Sequence, residues 1–367
     1  MKLLVYGAGV LGCNLAKALF CAGKDVTLLA RGAWAEELRR NGLRIKNVFP
    51  PRTTVTRLPV VTELAPTDGY DVIFVTVRYT QLESVMETLR ASAAKDVVFV
   101  GNNVRASETA ALLPEKNVMF AFTNAAGHRE SDRVVSADLH KITIGQLSGA
   151  PSNEQRIGQI FAGTGYKVTY QPNMGDYLLC HAAFVLPAVF ACYKSDGDLK
   201  QLKKNDAYLH RLIDANLEGY RAIRNAGHTI PPPEDSDFEG AAYRKTCFRF
   251  FKLMCATPLG KICVSDHAMN AVEEMRALDR EKKPYIYVGL VCVREPYQGQ
   301  GYMRKLMDRA FSEGDRLGVP VILDTDAKSK CDQYRHLGME LAGERRFGTH
   351  GVLYALIRYP DAAGSGK

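Results

Sequence analysis

The sequence of 367 residues predicts an α/β protein in which two α/β segments flank an all-helical one. Short β-branched and aliphatic runs alternate with amphipathic stretches over residues 1–172, a pattern typical of βαβ units around a mainly parallel sheet. Strand-like runs then stop, and long helical patterns fill residues 173–283. The alternation returns over residues 284–360, and a tail of small residues at 361–367 is expected to be flexible.

Composition places the chain among ordinary globular proteins, with 46% hydrophobic and 24% charged residues. The length gives room for two or three domains at about 150 residues each. Lysine and arginine number 48 against 40 acidic residues, and the net charge of +8 is spread along the chain. This modest excess favours a small anionic ligand over nucleic acid, so we expect a small-molecule substrate and no nucleic-acid partner.

Nine cysteines are scattered along the chain without a CxxC pair, which predicts no zinc site, no disulfide framework and a reducing cytoplasm. The longest apolar stretch, residues 178–193, contains His181 and Pro187 and is shorter than the roughly 20 residues that span a bilayer. Residues 1–12 break their apolar run at glycines, so a first strand fits them better than a signal sequence. We therefore predict a cytoplasmic protein without a membrane partner or a metal.

The first strand-like run ends in a glycine-rich turn that opens a helix. The turn consists of Gly7, Ala8, Gly9, Val10, Leu11 and Gly12. Between a strand and a helix, Gly7 permits a tight turn, Gly9 lets backbone amides approach a pyrophosphate, and Gly12 lets helix and strand pack closely. These six residues therefore predict a dinucleotide site and make the N-terminal segment a Rossmann domain.

The end of the second strand-like run indicates which dinucleotide binds. NAD sites usually carry an acidic residue about 20 positions after the glycines, where it takes the ribose hydroxyls. Here the run ends in Ala30 and Arg31, and a guanidinium suits a 2′-phosphate. We predict NADP (NADPH) with Arg31 as a ligand, while an ordinary exposed arginine is the alternative.

At these residues the chain resembles the ketopantoate reductase (2-dehydropantoate 2-reductase) family, over residues 1–280. Members of that family join an N-terminal Rossmann domain to an all-helical domain, which implies the same arrangement here. The resemblance continues in residues 77–81, where it implies that Arg78 and Gln81 lie near the cofactor phosphate and ribose. It also extends to Asn102, which matches an asparagine that helps hold cofactor and substrate.

The family lysine that protonates the substrate carbonyl has no counterpart in the matching segment, residues 176–181. Depending on register, its position falls on Leu179 or His181. Imidazolium at His181 could supply the same proton because its ordinary pKa lies near the operating pH, while a packed core histidine is the alternative. Residues 182–189 also lack the family's substrate-binding asparagines, so we do not expect ketopantoate itself to be the substrate.

A later helix-like stretch places Asn270 and Glu274 on one face, where the family has a glutamate near the substrate hydroxyl. A solvated helix face is the alternative reading of that stretch. We predict His181, Asn102 and Glu274 as the catalytic residues of carbonyl reduction.

A second glycine-rich turn separates another strand-like run from a long helix-like one. It consists of Gln298, Gly299, Gln300, Gly301, Tyr302 and Met303. Amides at such a turn can hold an anion, and residues 284–360 resemble the acetyl-CoA-binding half of the GCN5-related N-acetyltransferases (GNAT). The resemblance implies that the turn binds the CoA pyrophosphate and that Tyr334 protonates the departing thiolate, with a packed aromatic as the alternative.

The half of the GNAT family that shapes the acceptor-amine site has no recognisable counterpart between Gly175 and Lys283. We therefore expect a C-terminal α/β GNAT-like half domain.

Three functions follow from these motifs. The predicted one, which uses most of the chain, is an NADPH-dependent reductase of a 2-oxo acid or related carbonyl compound, with the proton supplied by His181 or a bound water. The alternatives are an acyl-CoA-dependent N-acetyltransferase and a non-catalytic sensor of NADPH and acetyl-CoA. A homodimer is left open.

Overall fold

The chain forms two compact units, Met1–Ser265 and Asp266–Lys367. The computed structural model describes residues 1–48, 50–195, 198–231, 237–257, 278, 281, 283–288, 293, 298–347 and 351–360. A Rossmann-like sheet and a helical segment share the first unit, and an α/β fold occupies the second, which confirms the predicted fold class. The predicted domain boundaries at residues 172 and 283 remain predictions.

The first unit contains one ten-stranded sheet. Its strands are β1 (Lys2–Tyr6), β2 (Asp25–Leu29), β3 (Leu43–Val48), β4 (Pro51–Thr56), β5 (Val60–Val61), β6 (Val72–Val75), β7 (Asp96–Val100), β8 (Asn117–Arg129), β9 (Val134–Gly145) and β10 (Lys167–Tyr170). They run in the order β4-β3-β9-β8-β7-β6-β1-β2-β5, with β10 beside β9. Within the sheet, the neighbouring strands β8, β7, β6, β1, β2 and β5 are all parallel, as the alternating pattern predicts. Strands β8 and β9 form a long antiparallel hairpin.

Helices cover the sheet, and after its last strand, β10, the described elements of the first unit are all helices. They are α1 (Val10–Cys21), α2 (Gly32–Asn41), α3 (Glu83–Ala91), α4 (Ala106–Ala111), α5 (Glu154–Phe161), α6 (Met174–Lys194), α7 (Leu199–Lys204), α8 (Asp206–Asn225) and α9 (Ala241–Ala256), with a 3₁₀ turn at Tyr79–Gln81. In β1, Leu3 and Val5 enter one buried cluster while Leu4 and Tyr6 enter another. Because both faces of the sheet are covered, its central strands read as continuous apolar runs.

Helix α6 corrects one prediction. It extends over Met174–Lys194, 21 residues, so the apolar stretch is not too short to cross a membrane by length and composition. Core helices of globular proteins reach the same length and apolar composition. Here α6 packs along α8, where a Cβ on Gly219 would lie 2.9 Å from the Cβ of Ala183. Glycine at that position therefore sets the close approach of the two helices.

The second unit is a small sheet with two helices. Its elements are β11 (Ile286–Tyr287), α10 (Tyr302–Leu317), β12 (Val321–Thr325), α11 (Lys328–His336), β13 (Glu340–Phe347) and β14 (Gly351–Arg358). The sheet order is β11-β12-β14-β13, with β11 parallel to β12 and the other pairs antiparallel. The strand predicted over residues 285–293 is observed only at β11, and residues 289–292 lie outside the described part of the chain.

The helix α10 is fastened to the sheet by an ion pair. Arg358 donates to both carboxylate oxygens of Asp315, at 2.7 and 3.0 Å, and its guanidinium lies 4.9 Å from the ring centroid of Phe311. Such bidentate pairs fix geometry as well as adding attraction. The pair holds the C-terminal half of α10 against β14.

Candidate functional site

The first glycine-rich turn has the geometry that its sequence predicts. Gly7 has φ of +117°, a conformation that favours glycine. A Cβ on Gly12 would collide with the Gly7 carbonyl oxygen and lie 2.5 Å from Thr76 Oγ1. The Thr76 hydroxyl donates to the Gly7 carbonyl at 2.7 Å, so β6 braces the turn. The sequence analysis missed Thr76 because only the parallel pairing of β1 and β6 brings it to the turn.

The start of α1 leaves room for a ligand. Gly9 is the N-terminal cap residue of α1, and a Cβ there would meet nothing within 4 Å. The first amides of a helix have no partner within it, so this open side presents donors to an anion. Val10 and Leu11 pack partly against the core, and Ala8 is buried, so these three hold the turn in place through their side chains.

Arg31 lies at the carboxyl end of the second strand, as predicted, where it caps α2. Its Nη2 donates to the Tyr6 hydroxyl at 2.5 Å, and its guanidinium lies 5.6 Å from the Tyr6 ring centroid. Tyr6, which the sequence analysis did not single out, thus orients the guanidinium at the end of β1. The arginine is exposed, and it lies at the same carboxyl end of the parallel strands as the glycine turn.

Trp34 is a second residue that the sequence analysis missed. Its indole Nε1 donates to the Ala8 carbonyl at 3.0 Å, and the side chain is buried. The Arg129 guanidinium lies 5.3 Å from the indole ring centroid. The wall beside the glycine turn is therefore an indole ring with an arginine at its face.

Arg78 and Gln81 flank the 3₁₀ turn after β6. The Gln81 side-chain oxygen accepts the Arg78 backbone amide at 3.1 Å, so Gln81 caps this turn locally. Both residues are exposed. Their predicted contacts with a cofactor remain predictions.

Two of the predicted catalytic residues meet in the structure. The Nδ1 atom of His181 on α6 lies 2.9 Å from Oδ1 of Asn102, which follows β7. Gly101, with φ of +132°, turns the chain at this point, and the side chain of Asn103 points away to bond Thr109 at 2.9 Å. The pairing joins the carboxyl end of the sheet to the first turns of the helical segment.

The His181 ring lies among aromatic side chains. Its centroid is 3.8 Å from that of Phe122 and 6.4 Å from that of Tyr177. Burial lowers the pKa of His181 to about 4. The neutral imidazole therefore prevails at neutral pH, which corrects the expectation from the sequence that imidazolium is available there.

A small cavity adjoins this ring. Its volume is about 70 Å³, and its lining consists of Tyr177, Cys180, His181, Phe184 and Tyr220. A water molecule takes about 30 Å³ of liquid, so the cavity fits a group of only a few heavy atoms. Its walls are mostly aromatic, which favours an apolar group.

The start of α6 is anchored by a buried carboxylate. Asp176 accepts the Thr229 amide at 2.8 Å, the Thr229 hydroxyl at 2.6 Å and His228 Nδ1 at 2.7 Å. Burial tends to raise the pKa of Asp176, but the hydrogen bonds from Thr229 and His228 outweigh it and hold that pKa below its usual value. This network fixes the helix that carries His181.

The second glycine-rich turn also has left-handed glycines. Gly299 and Gly301 have φ of +74° and +77°, and Gly301 caps α10. A Cβ on either would meet nothing within 4 Å, so the turn is open on that side. The Gln298 side chain donates to the Val293 carbonyl at 3.1 Å, while Met303 packs against the core. Gln300 and Tyr302 are exposed beside them.

Tyr334 lies on α11, half-buried against the core of the second unit. Burial raises the pKa of its phenol, which keeps the proton that the predicted role requires. Asp324 on β12 was not singled out from the sequence, and burial raises its pKa against a 3.4 Å hydrogen bond from the Tyr287 hydroxyl. A carboxyl with a raised pKa is a better proton acceptor than an ordinary one.

Two further predictions cannot be placed. Asn270 and Glu274 lie outside the described residues. Within the described ranges, no group of three or more His, Cys, Asp or Glu side chains is arranged to hold a metal ion.

Comparison with known proteins supports both sequence resemblances. Residues 3–149 match the family model described as Ketopantoate reductase PanE/ApbA, and residues 229–339 match the Acetyltransferase (GNAT) family. The second match begins upstream of residue 284, so the expectation of no GNAT counterpart before Lys283 was wrong. The chain therefore combines a ketopantoate-reductase-like oxidoreductase fold with a GNAT domain.

One curated relative is the 2-dehydropantoate 2-reductase of Archaeoglobus fulgidus, 28% identical over 167 residues. The alignment covers 45% of this chain and 54% of the relative, so the chain spans about half the length of the relative it matches.

Solved structures share the fold at low identity. The 2-dehydropantoate 2-reductase of Geobacter metallireducens aligns with a TM-score of 0.57 at 16% identity, covering 77% of this chain and 88% of its own. A D-mandelate dehydrogenase solved with NADH and anilino(oxo)acetate aligns with a TM-score of 0.56 at 15% identity, covering 92% and 96%.

Proposed function

We propose that the first unit is a cytoplasmic NADPH-dependent reductase of a 2-oxo acid or related carbonyl compound other than ketopantoate. The observation that carries the proposal is the hydrogen bond between Asn102 and His181, which sets a titratable ring at one of the two positions where the family resemblance expects the catalytic lysine. Residues 229–339, most of which lie in the second unit, add a domain of the acetyltransferase type.

The cofactor assignment draws on the first glycine turn. The open side of Gly9 and the exposed guanidinium of Arg31 suit a dinucleotide with a 2′-phosphate. One structural neighbour was solved with NADH, so the choice of NADP rests on Arg31 rather than on the neighbours.

The proton chemistry follows from the tautomer. With Asn102 Oδ1 as the acceptor, His181 Nδ1 carries the proton and Nε2 presents a lone pair. That form accepts the proton of a hydroxyl group when a hydroxy acid is oxidised. Carbonyl reduction needs the imidazolium, whose Nε2 proton would pass to the carbonyl oxygen. A nicotinamide held at the first glycine turn would supply the hydride.

The pKa of His181 predicts a pH dependence. With a pKa of about 4, roughly one ring in a thousand is protonated at pH 7. Reduction should therefore speed up as the pH falls from 7 toward 4, by about tenfold per pH unit, whereas the base form needed for oxidation is already complete above about pH 5.

The test is the rate of NADPH oxidation with a panel of 2-oxo acids between pH 5 and 8. His181→Gln should abolish the pH dependence and most turnover while NADPH affinity is retained. His210→Gln is the matched control, because His210 stacks on Phe248 at 4.8 Å in the helical segment. NADPH binding without turnover of any substrate would instead favour the sensor.

A second candidate function is N-acetyl transfer from acetyl-CoA. It is favoured by the left-handed Gly299 and Gly301 at the start of α10. Calorimetry should show that acetyl-CoA binds, that Gly301→Asp abolishes this binding, and that NADPH binding is unchanged. Gly318→Asp is the control, because Gly318 has φ of +65° and open space at the other end of α10. Equal losses in both variants would count against the turn as the CoA site.

A further inference from the structure

Trp34 is held in a fixed position beside the first glycine turn. The indole is 7% exposed and donates to the Ala8 carbonyl at 3.0 Å. Since Ala8 belongs to the first glycine turn, this hydrogen bond makes the indole part of the wall of the dinucleotide site. The buried ring fixes the Ala8 carbonyl, and with it the turn, while its face carries the contact with Arg129.

Arg129, the last residue of β8, contacts this ring although it is distant from Trp34 in the sequence. Its guanidinium lies 5.3 Å from the indole ring centroid, within the range of a cation–π contact. The acidic residues around it are already engaged, because Glu130 and Asp132 both pair with Arg133 at 3.2 and 2.7 Å. Among the described residues, Arg129 forms no ion pair, so its charge is not neutralised by a carboxylate there.

Arg31 adds a second such charge. It stands one helical turn before Trp34, where its guanidinium bonds the Tyr6 hydroxyl, and it has no ion-pair partner in the described parts of the chain. Arg129 thus contacts the indole itself, while Arg31 caps the helix that carries Trp34 and contacts Tyr6 at the end of β1. Guanidinium groups bind phosphate through paired N–H donors, and two of them suit a dianion.

We propose that Arg129 is a second phosphate-binding residue of the dinucleotide site, which takes the 2′-phosphate of an adenine dinucleotide together with Arg31. The inference rests on the proposed NADP dependence and adds a residue that neither the glycine motif nor the end of the second strand indicates. The contact with Trp34 holds the Arg129 side chain near the turn before the ligand arrives.

The test uses two probes without a nicotinamide, 2′-phospho-ADP-ribose and ADP-ribose, so that binding is measured apart from catalysis. Trp34 is the single tryptophan in the chain, and its fluorescence therefore reports on this site alone. Calorimetry provides an independent readout. We expect Arg129→Gln to weaken 2′-phospho-ADP-ribose at least tenfold and ADP-ribose less than twofold.

The matched control is Arg133→Gln, on the same hairpin, whose guanidinium is already bonded to Asp132. It should leave both affinities unchanged. Thermal melting of each variant checks that the fold is intact.

The outcomes separate this inference from the proposed cofactor. If the wild type binds both probes equally, NADP preference fails and the role of Arg129 fails with it. If the wild type prefers 2′-phospho-ADP-ribose, Arg31→Gln removes that preference and Arg129→Gln keeps it, only the present inference is overturned. Equal weakening of both probes by Arg129→Gln also overturns it, because the residue then acts on a group that they share.

Discussion

Asn102→Asp would convert the amide beside His181 into a carboxylate of the same shape. The Asn102 oxygen lies 2.9 Å from Nδ1 of His181, so the substitution places a negative charge at hydrogen-bond distance from the ring. A nearby negative charge stabilises imidazolium, and the pKa of His181 should therefore rise.

The size of the rise follows from the separation. The charges are spread over the ring and the carboxylate, so we take about 4 Å between their centres, where opposite charges attract by about 4 kcal/mol at an effective dielectric constant of 20. This corresponds to about 3 pKa units at 1.36 kcal/mol each. Asn102 is exposed, so we allow solvent to screen roughly half of the attraction. With that screening the pKa of His181 should rise from about 4 to about 5.5, and the unscreened attraction sets an upper limit of about 7.

The assay is an NMR titration of protein labelled in its histidine side chains, without ligand, with His181→Gln to assign the resonance. Asn205→Asp is the control, because Asn205 caps α8 and either side chain serves there. A pKa of His181 near 6.5 in the wild type would refute the claim that burial lowers it. A rise of less than half a unit in Asn102→Asp would refute the hydrogen bond as the means of control.

Two further predictions concern stability. Gly12→Ala should destabilise the first unit by about 1–3 kcal/mol in urea unfolding, because its Cβ would collide with a backbone carbonyl. Gly9→Ala should keep full stability and weaken dinucleotide binding in calorimetry, and equal stability of the two variants would contradict the packing argument. Arg358→Met should cost the second unit about 1–3 kcal/mol by leaving the Asp315 carboxylate without its bidentate partner, measured by hydrogen exchange of β14 amides. Unchanged exchange would show that solvent satisfies the carboxylate.

Local patterns predicted much of the fold. The glycine turn could be predicted because the need for glycine is set by residues close in sequence. A side chain on Gly12 would collide with the carbonyl of Gly7, only five positions away. The parallel core of the sheet could be predicted because strands buried on both faces are apolar throughout. The β8–β9 hairpin was not predicted, since its exposed and irregular end breaks the simple alternation.

The site was harder to predict because its contacts join distant positions. Asn102 and His181 were each selected from a family resemblance, but their hydrogen bond spans 79 positions. Neither its existence nor the low pKa that burial gives the ring can be read from the segment around His181. Trp34 offered one signal, a lone tryptophan on a polar helix, whereas nothing in the sequence around Arg129 points to the glycine turn.

The order of these features along the chain is also the order in which they are synthesised. Every strand from β1 to β8, and with them the glycine turn, precedes residue 130, whereas His181 comes later on α6. As the protein leaves the ribosome, the glycine-rich turn is complete before His181, the proposed proton-transfer residue, has been synthesised. A nucleotide bound at that stage would stabilise the emerging domain by mass action, well before any turnover begins.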